Sequence, residues 1–387
     1  MKVKTRYADG ETLYRVAEFS TAGIGVQTPV KAVELHKLPS GIEPDKRLLG
    51  VSEFYRSINR NQLSGWMTDG AKDRASLASV RAAHRRARER ASLHALFLQV
   101  DSVDLTSRQI EFLSDTVHAN ADIVAVPIEK DLHLAVKGEG SREFKRYLGF
   151  ARGFVEEVEK LNGKPLMAMM PSLPWQFTQD LSDLYLDLGM RMFCFDFAGR
   201  TPSSTEERNI RPFLKRLREE HIEEEVILYA LNANTGRASK AGGTTVAPAK
   251  DILSFGFGFD VLGQKHLGLK GPREMYEQMA KKGPQVRLFD KDSYGYRKAA
   301  PSAVASILPA DTAVRAGGFR DELARSGLQG YVNMEQHAFE ARRLQRVIKE
   351  AAVPAYLSKK GAMDSSDRSR MKDARQSMTK KETLDEW

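Results

Sequence analysis

Cysteine is almost missing from this 387-residue chain, which has Cys194 and no other. A single thiol excludes an internal disulfide framework and fits a reducing cytoplasm. It also excludes a zinc site built from several cysteines. Long apolar runs are missing too. No stretch reaches the roughly 18 apolar residues that a membrane span needs, and Met1-Lys2-Val3-Lys4-Thr5-Arg6 lacks the apolar core of a secretion signal. The expectation is a soluble, cytoplasmic protein with no membrane partner. No internal sequence repeat is evident.

What is present is a basic, core-forming composition. Hydrophobic residues make up 41% of the chain, enough for a sizeable core, and the net charge is +9. At this length the chain accommodates one large barrel with an appendage, or two modest domains. The positive balance favours a polyanionic partner.

The middle of the chain has a βα rhythm. Tyr14 to Val30 alternates as a hairpin with Thr21-Ala22-Gly23-Ile24-Gly25 at its turn. Ile110, Leu113 and Val117 then fall at helical spacing, followed by the strand-like run Ile123 to Ile128. Further apolar runs at Leu166–Met170, Arg191–Phe197, Val226–Leu231, Ile252–Phe259 and Val286–Phe289 alternate with helical patterns. Short apolar strands separated by helices imply parallel pairing, and this many units favour a closed TIM (β/α)8 barrel over an open sheet. The expected layout is a barrel over residues 1–300, a helical extension over 301–357 and a charged, flexible tail over 358–387. Residues 71–92 break the rhythm with an arginine-rich insert. Its Arg81, Arg85, Arg86, Arg88 and Arg90 form either a solvated helix face or a phosphate-contacting arm.

Leu288-Phe289-Asp290-Lys291-Asp292-Ser293-Tyr294-Gly295-Tyr296-Arg297 is the stretch richest in chemistry. An aspartate following an apolar strand would face the barrel mouth, where such folds do their chemistry. The alternative is that Asp290 caps a turn. This segment resembles the catalytic run of the archaeal-type tRNA-guanine transglycosylases. Other segments resemble that family in the same order: Phe19 to Val30, Leu48 to Gly70 with Met67-Thr68-Asp69-Gly70, Val103 to Ile110, Phe197-Ala198-Gly199-Arg200, and Phe255-Gly256-Phe257-Gly258. The resemblance spans about Tyr14 to Ile348.

The resemblance implies base exchange through a covalent aspartyl-sugar intermediate. Asp290 would be the nucleophile and Asp69 the acid/base, with Asp101 as the rival for that second role. Glu129, Ala198, Gly199, Phe257, Gly258 and Tyr294 would line the base site, and Arg297 would join the arginines of residues 71–92 on nucleic acid. The family's three zinc cysteines have no counterpart, so no metal or other cofactor is expected, and His337 becomes a helix-surface residue. The absence of a separate RNA-binding domain and the altered base pocket favour the branch that places 7-deazaguanines in DNA. A homodimer is left open. The alternatives are a tRNA substrate, a non-catalytic paralogue that binds nucleic acid, and an unrelated barrel enzyme acting on a phosphorylated small molecule.

Overall fold

A computed structural model describes the chain except for residues 69, 137, 139, 140, 162, 238–246, 269–271, 275, 276, 278–280, 282 and 380–387. The chain opens with an antiparallel sheet of β1 (Lys2–Ala8), β2 (Arg15–Thr21) and β3 (Ile24–Gln27). Then come β4 (Val30–Lys31), β5 (Val51–Ile58), β6 (Leu93–Val100), β7 (Ile123–Ala125) with its continuation β8 (Ile128–Glu129), β9 (Leu166–Pro171), β10 (Met192–Asp196) and β11 (Ile227–Leu231). The two-residue β12 (Ala247–Pro248) precedes β13 (Val261–Leu262), and the last pair is β14 (Val286–Asp290) and β15 (Gly295–Ala299).

The main sheet runs β4-β13-β11-β10-β9-β7-β6-β5 with every pairing parallel. Its two ends come together. Val33, just past β4, forms a parallel bridge to Ser52 of β5, with Val33 N donating to Val51 O at 3.0 Å and Glu53 N to Val33 O at 2.9 Å. The result is a TIM-like arrangement of eight parallel strand positions, with the strand C-terminal ends at one mouth. The strands are apolar on both faces because helices cover the outside, as parallel sheets require. Those helices carry ordinary start signals. Thr106 and Gln109 make a reciprocal capping box for the Ser107–Ala119 helix, and the Ser141 hydroxyl accepts from Phe144 N at the start of Arg142–Glu159.

Four expectations need correction. Ile252–Phe257 is a 3-10 helix, and the eighth strand position is the next segment, β13. A short apolar run cannot by itself distinguish a strand from a buried helical turn. Secondly, β14 lies outside the main sheet, in a separate antiparallel sheet of order β12-β15-β14. Thirdly, the arginine-rich stretch is no insert. It forms the Ala71–Glu89 helix between β5 and β6, a barrel-covering position, and buries Val80, Ala83 and Ala87. Fourthly, the charged tail includes a helix, Ser365–Thr379, whose Met371 and Ala374 are buried in the main core. Among the described residues no helix is long and apolar enough to cross a membrane.

One buried carboxylate ties the N-terminal sheet to the barrel. Asp260, fully inaccessible before β13, accepts from Arg15 Nη2 at 2.5 Å and Arg15 Nε at 3.0 Å. It also accepts from Leu228 N at 2.9 Å and Thr28 Oγ1 at 3.2 Å. Removing one member of a buried pair leaves an uncompensated charge, at a cost of about 3–5 kcal/mol. Arg15→Ala, which strands the carboxylate, is expected to lower the unfolding free energy by that amount in urea titrations. A loss below about 1 kcal/mol would show that Asp260 is satisfied without Arg15.

Candidate active site at the barrel mouth

Strand alternation decides which side chains face the barrel interior. Paired positions share a face, so Met169, Cys194 and Tyr229 point inward with their registered neighbours, and Asp196 follows Cys194 two residues on. Phe97 of β6 meets Tyr229 across the interior, ring centroids 5.3 Å apart. Glu53 lies in the same space and is fully buried.

Glu53 collects donors from three directions. Tyr229 Oη makes a short hydrogen bond to Oε2, Gln264 N donates to Oε1 at 2.6 Å, and His266 Nε2 lies 2.9 Å from Oε1. Burial would raise its pKa, but the His266 hydrogen bond and charge, the Lys31 charge and the Tyr229 hydroxyl outweigh it and bring the carboxyl down to about 2. The other ring nitrogen of His266 is 3.6 Å from Glu34. His266 also stacks on Tyr55, centroids 4.6 Å apart and planes 8° apart. Tyr55 Oη is buried and has no hydrogen-bond partner among the described residues.

Asp196 stands at the C-terminal end of β10. Ala198 N and Asn232 Nδ2 both donate to its Oδ1, each at 2.9 Å. Neither bond uses Oδ2. Burial raises the pKa of this carboxyl, opposed only in part by the two hydrogen bonds and by the charges of His133 and His266. Asn232 in turn accepts from His266 N at 2.8 Å, which links the ends of β10, β11 and β13 in one network. Both Ala198 (φ 49°) and Asn232 (φ 57°) have left-handed backbone, a conformation that non-glycine residues seldom adopt and that recurs at functional turns. A buried carboxyl with a raised pKa at the mouth of a parallel barrel is suited to hold and release a proton.

The expected site residues divide. Ala198 and Gly199 lie at the mouth beside Asp196. Glu129 is also at a strand's C-terminal end, but its Oε1 accepts from Arg146 Nη2 at 2.8 Å, so it is anchored to the Arg142–Glu159 helix. Phe257 and Gly258 precede β13 and therefore lie at the opposite end of the barrel, Phe257 fully buried and Gly258 against Leu13 and Leu214. Asp69 lies outside the described residues. Asp101 follows β6 and is exposed.

Asp290 is not at the mouth. It ends β14, where the hairpin turns back into β15. Its Oδ1 accepts from Asp292 N at 3.1 Å, its Oδ2 from the Ser293 hydroxyl at 2.7 Å, and Arg297 pairs with it at 2.7 Å. This is the turn-capping alternative, with Arg297 as its counter-ion. Tyr294 is buried and gives its hydroxyl to Glu340 at 2.7 Å, so it packs the C-terminal helices rather than a base. His337 is likewise buried, 3.2 Å from Tyr296 Oη and 3.6 Å from Asp251. It is not a helix-surface residue. The arginines of the 71–89 helix and its C-cap are partly engaged: Arg85 with Glu89, Arg86 with the His36 carbonyl, Arg88 with Asp122 and Arg90 with Glu43. Arg81 is exposed. Among the described residues no group of three or more His, Cys, Asp or Glu side chains is arranged to hold a metal.

The sequence reading missed Glu53, His266 and Asp196. The available signal was an acid inside an apolar strand, at Ser52-Glu53-Phe54 and again at Phe195-Asp196-Phe197, since buried charges need a partner or a function.

No family model matches the chain, and the search of curated proteins found no match. Among solved structures, D-allulose 3-epimerase from Methylomonas sp. is similar at TM-score 0.37 and 8% identity, over 65% of this chain and 90% of that one. D-psicose 3-epimerase from Clostridium cellulolyticum H10, solved with D-tagatose, has the same TM-score at 9% identity, over 82% and 99% of the two chains. Likeness of this degree carries no argument about fold or function.

Three desolvated histidines, His94, His337 and the partly buried His36, weaken this architecture in acid. Burial holds His94 near pKa 3 and both His36 and His337 near 4, against an ordinary 6.5. The unfolded chain takes up these protons first, so their contribution to stability is intact above pH 6.5 and is lost as pH falls through the folded values. Glu53 adds a loss between pH 4.5 and about 2. Urea midpoints are therefore expected to fall steadily below pH 6.5, and His337→Gln should flatten the slope between pH 6.5 and 4. A constant midpoint over that range would contradict the burial described.

Proposed function

We propose that this chain is a nucleic-acid guanine transglycosylase that replaces guanine in DNA with a 7-deazaguanine base, with Asp196 rather than Asp290 as the working carboxyl. The collinear sequence resemblance supports the reaction class. The observation that carries the reassignment is Asp196 itself: buried at the mouth, its pKa raised, Oδ1 held by Ala198 N and Asn232 and Oδ2 outside those bonds.

Base exchange breaks the C1′–N bond to guanine and forms one to the incoming base. Protonated Asp196 gives its proton to the departing guanine, the oxocarbenium-like sugar is captured by a ring nitrogen of the incoming base, and that nitrogen's N–H proton returns to Asp196. A carboxyl raised above its ordinary range performs both transfers, worth about 10²–10⁴-fold. The Tyr55–His266 stack gives a planar base a surface to lie against. Ala198 and Gly199 bring backbone close to it. Glu53 is a positioning residue: it fixes His266 and through it the stack. The target nucleotide must leave its helix to reach this depth. The arginines of the 71–89 helix would meet phosphates along the way.

A second reading, a non-catalytic paralogue that binds nucleic acid, is favoured by one observation, the capture of Asp290 in a peripheral turn. Incubation with labelled guanine and either duplex DNA or unmodified tRNA separates the readings. Label is expected in DNA, unaffected by chelator, with Asp196→Asn reducing incorporation by about 10²-fold or more and Asp290→Asn leaving it within a few-fold of wild type. Label in tRNA alone would move the substrate, and DNA binding without any incorporation would establish the paralogue. Loss of exchange in Asp290→Asn with a normal melting profile would restore Asp290 as the nucleophile.

A further inference from the structure

Two cations stand close together on the barrel rim, and among the described residues neither has a carboxylate partner. Lys265, in the segment after β13, donates from Nζ to Asn234 Oδ1 at 3.1 Å. Arg287, near the start of β14, donates from Nη2 to Thr235 Oγ1 at 3.0 Å, and its guanidinium carbon lies 4.7 Å from the Tyr296 ring centroid. Both acceptors are neutral, and both belong to the segment after β11. Partial desolvation and then the Arg287 charge hold the Lys265 ammonium below its ordinary range, so the two charges act on each other. The acid whose field reaches Lys265, Asp251, makes no ion pair with it. Its Oδ2 accepts from the Tyr296 hydroxyl at 2.7 Å and lies 3.6 Å from His337, and its Oδ1 has no hydrogen-bond partner among the described residues.

Among the described residues some cations, Arg56 and Arg200 among them, likewise lack a carboxylate and meet only hydroxyls, whereas others find carboxylates. Lys250 meets Asp364 and Asp367, Arg146 meets Glu129, and Arg343 meets Asp292. Adjacent like charges repel, and an anion between them removes the cost. The location fits as well, since the loops after the seventh and eighth strands are where barrels of this type commonly seat a phosphate. A guanidinium held over a ring still offers its planar fork to two oxygens of one phosphate, while the ammonium supplies a point charge. Lys265 is also the immediate neighbour of His266, so an anion held here lies at the edge of the mouth.

We propose that Lys265 and Arg287, supported by Asn234 and Thr235, form a phosphate seat that holds a backbone phosphodiester of the strand whose nucleotide enters the mouth. The seat rests on the nucleic-acid reading above and gives it a register: the phosphate is clamped at the rim while the base passes inward to the Tyr55–His266 stack.

The test measures binding of a short single-stranded DNA oligonucleotide across a salt series, together with binding of inorganic phosphate, for wild type, Lys265→Gln, Arg287→Gln and the double variant. Arg287→Lys serves as the charge-preserving control, and thermal melts confirm the fold of each. Each single neutral variant should weaken oligonucleotide binding several-fold and reduce the slope of log K against log salt by about 0.7, the expectation for one lost contact to a single strand. Arg287→Lys should keep the slope. Wild type should bind inorganic phosphate, weakly, and the double variant should not. Phosphate binding that survives in the double variant, or an absence of phosphate binding in wild type, would overturn the seat. Phosphate binding without oligonucleotide binding would overturn the nucleic-acid occupant and leave a seat for a small phosphorylated ligand. An unchanged salt slope in the double variant would place the DNA contacts elsewhere, on the arginines of the 71–89 helix.

Discussion

A negative charge sealed inside a barrel has to be balanced where it sits, and Glu53 imposes that requirement on the whole mouth. Its carboxylate takes a hydroxyl from β11, a backbone N–H and an imidazole from the segment after β13, and lies on β5 itself. Stranding such a charge is far more costly than an ordinary contact loss, so the relative placement of these strands is strongly constrained. The space is correspondingly tight. A β-carbon on Gly263 would lie 2.6 Å from the Tyr229 ring and 2.9 Å from Glu53 Oε2, so the eighth strand position ends in glycine because the interior is already filled by that pair. The mouth is built on this arrangement: His266 reaches Glu53 with its ring, stacks that ring on Tyr55 and gives its backbone N–H to Asn232.

The peripheral sheet follows a different logic. β14 begins beside the mouth, where Arg287 touches Thr235, and ends at a turn whose Tyr294 is packed among Glu340 and the C-terminal helices. Its two ends therefore serve two purposes. The first end offers a cation to the rim, and the second fastens the extension to the barrel, with Lys360 over the Tyr294 ring and donating to the Lys291 carbonyl at 2.6 Å. The aspartates that made this stretch conspicuous are engaged locally and in that fastening: Asp290 pairs with Arg297 within the hairpin, and Asp292 with Arg343 of a C-terminal helix. The buried carboxylates at the mouth, Glu53 and Asp196, lie instead on strands of the main sheet.

Much of the scaffold was legible in the chain. The apolar runs at Leu166, Arg191 and Val226 are strands because each is flanked by helical periodicity and a turn signal, and the Thr106–Gln109 and Ser141 starts are local hydrogen-bonding patterns that need no tertiary help. The hairpin through Thr21 to Gly25 was equally local. Less legible were β4, two residues long and recognisable only by what it pairs with, and the 3-10 helix at Ile252–Phe257, whose apolar run is compatible with either state. Ala198 and Gly199, expected at the base site, follow β10 and so lie at the mouth, whereas Glu129, expected there as well, is held by Arg146 from the next long helix, a pairing that no local pattern encodes.

Local sequence determined where helices begin, which runs are strands, and that the chain is a basic, parallel α/β protein, because capping, periodicity and composition act over a few residues at a time. Tertiary structure alone decided which strand completes the main sheet, and with it which acids face the mouth. Pairing of β13 with both β11 and β4 leaves β14 no place in that sheet, so Asp290 goes to a peripheral turn. Glu53 and His266 are 213 residues apart in sequence, with Asp196 between them, and no pattern within any one of the three segments encodes the partner that fixes its protonation and its geometry.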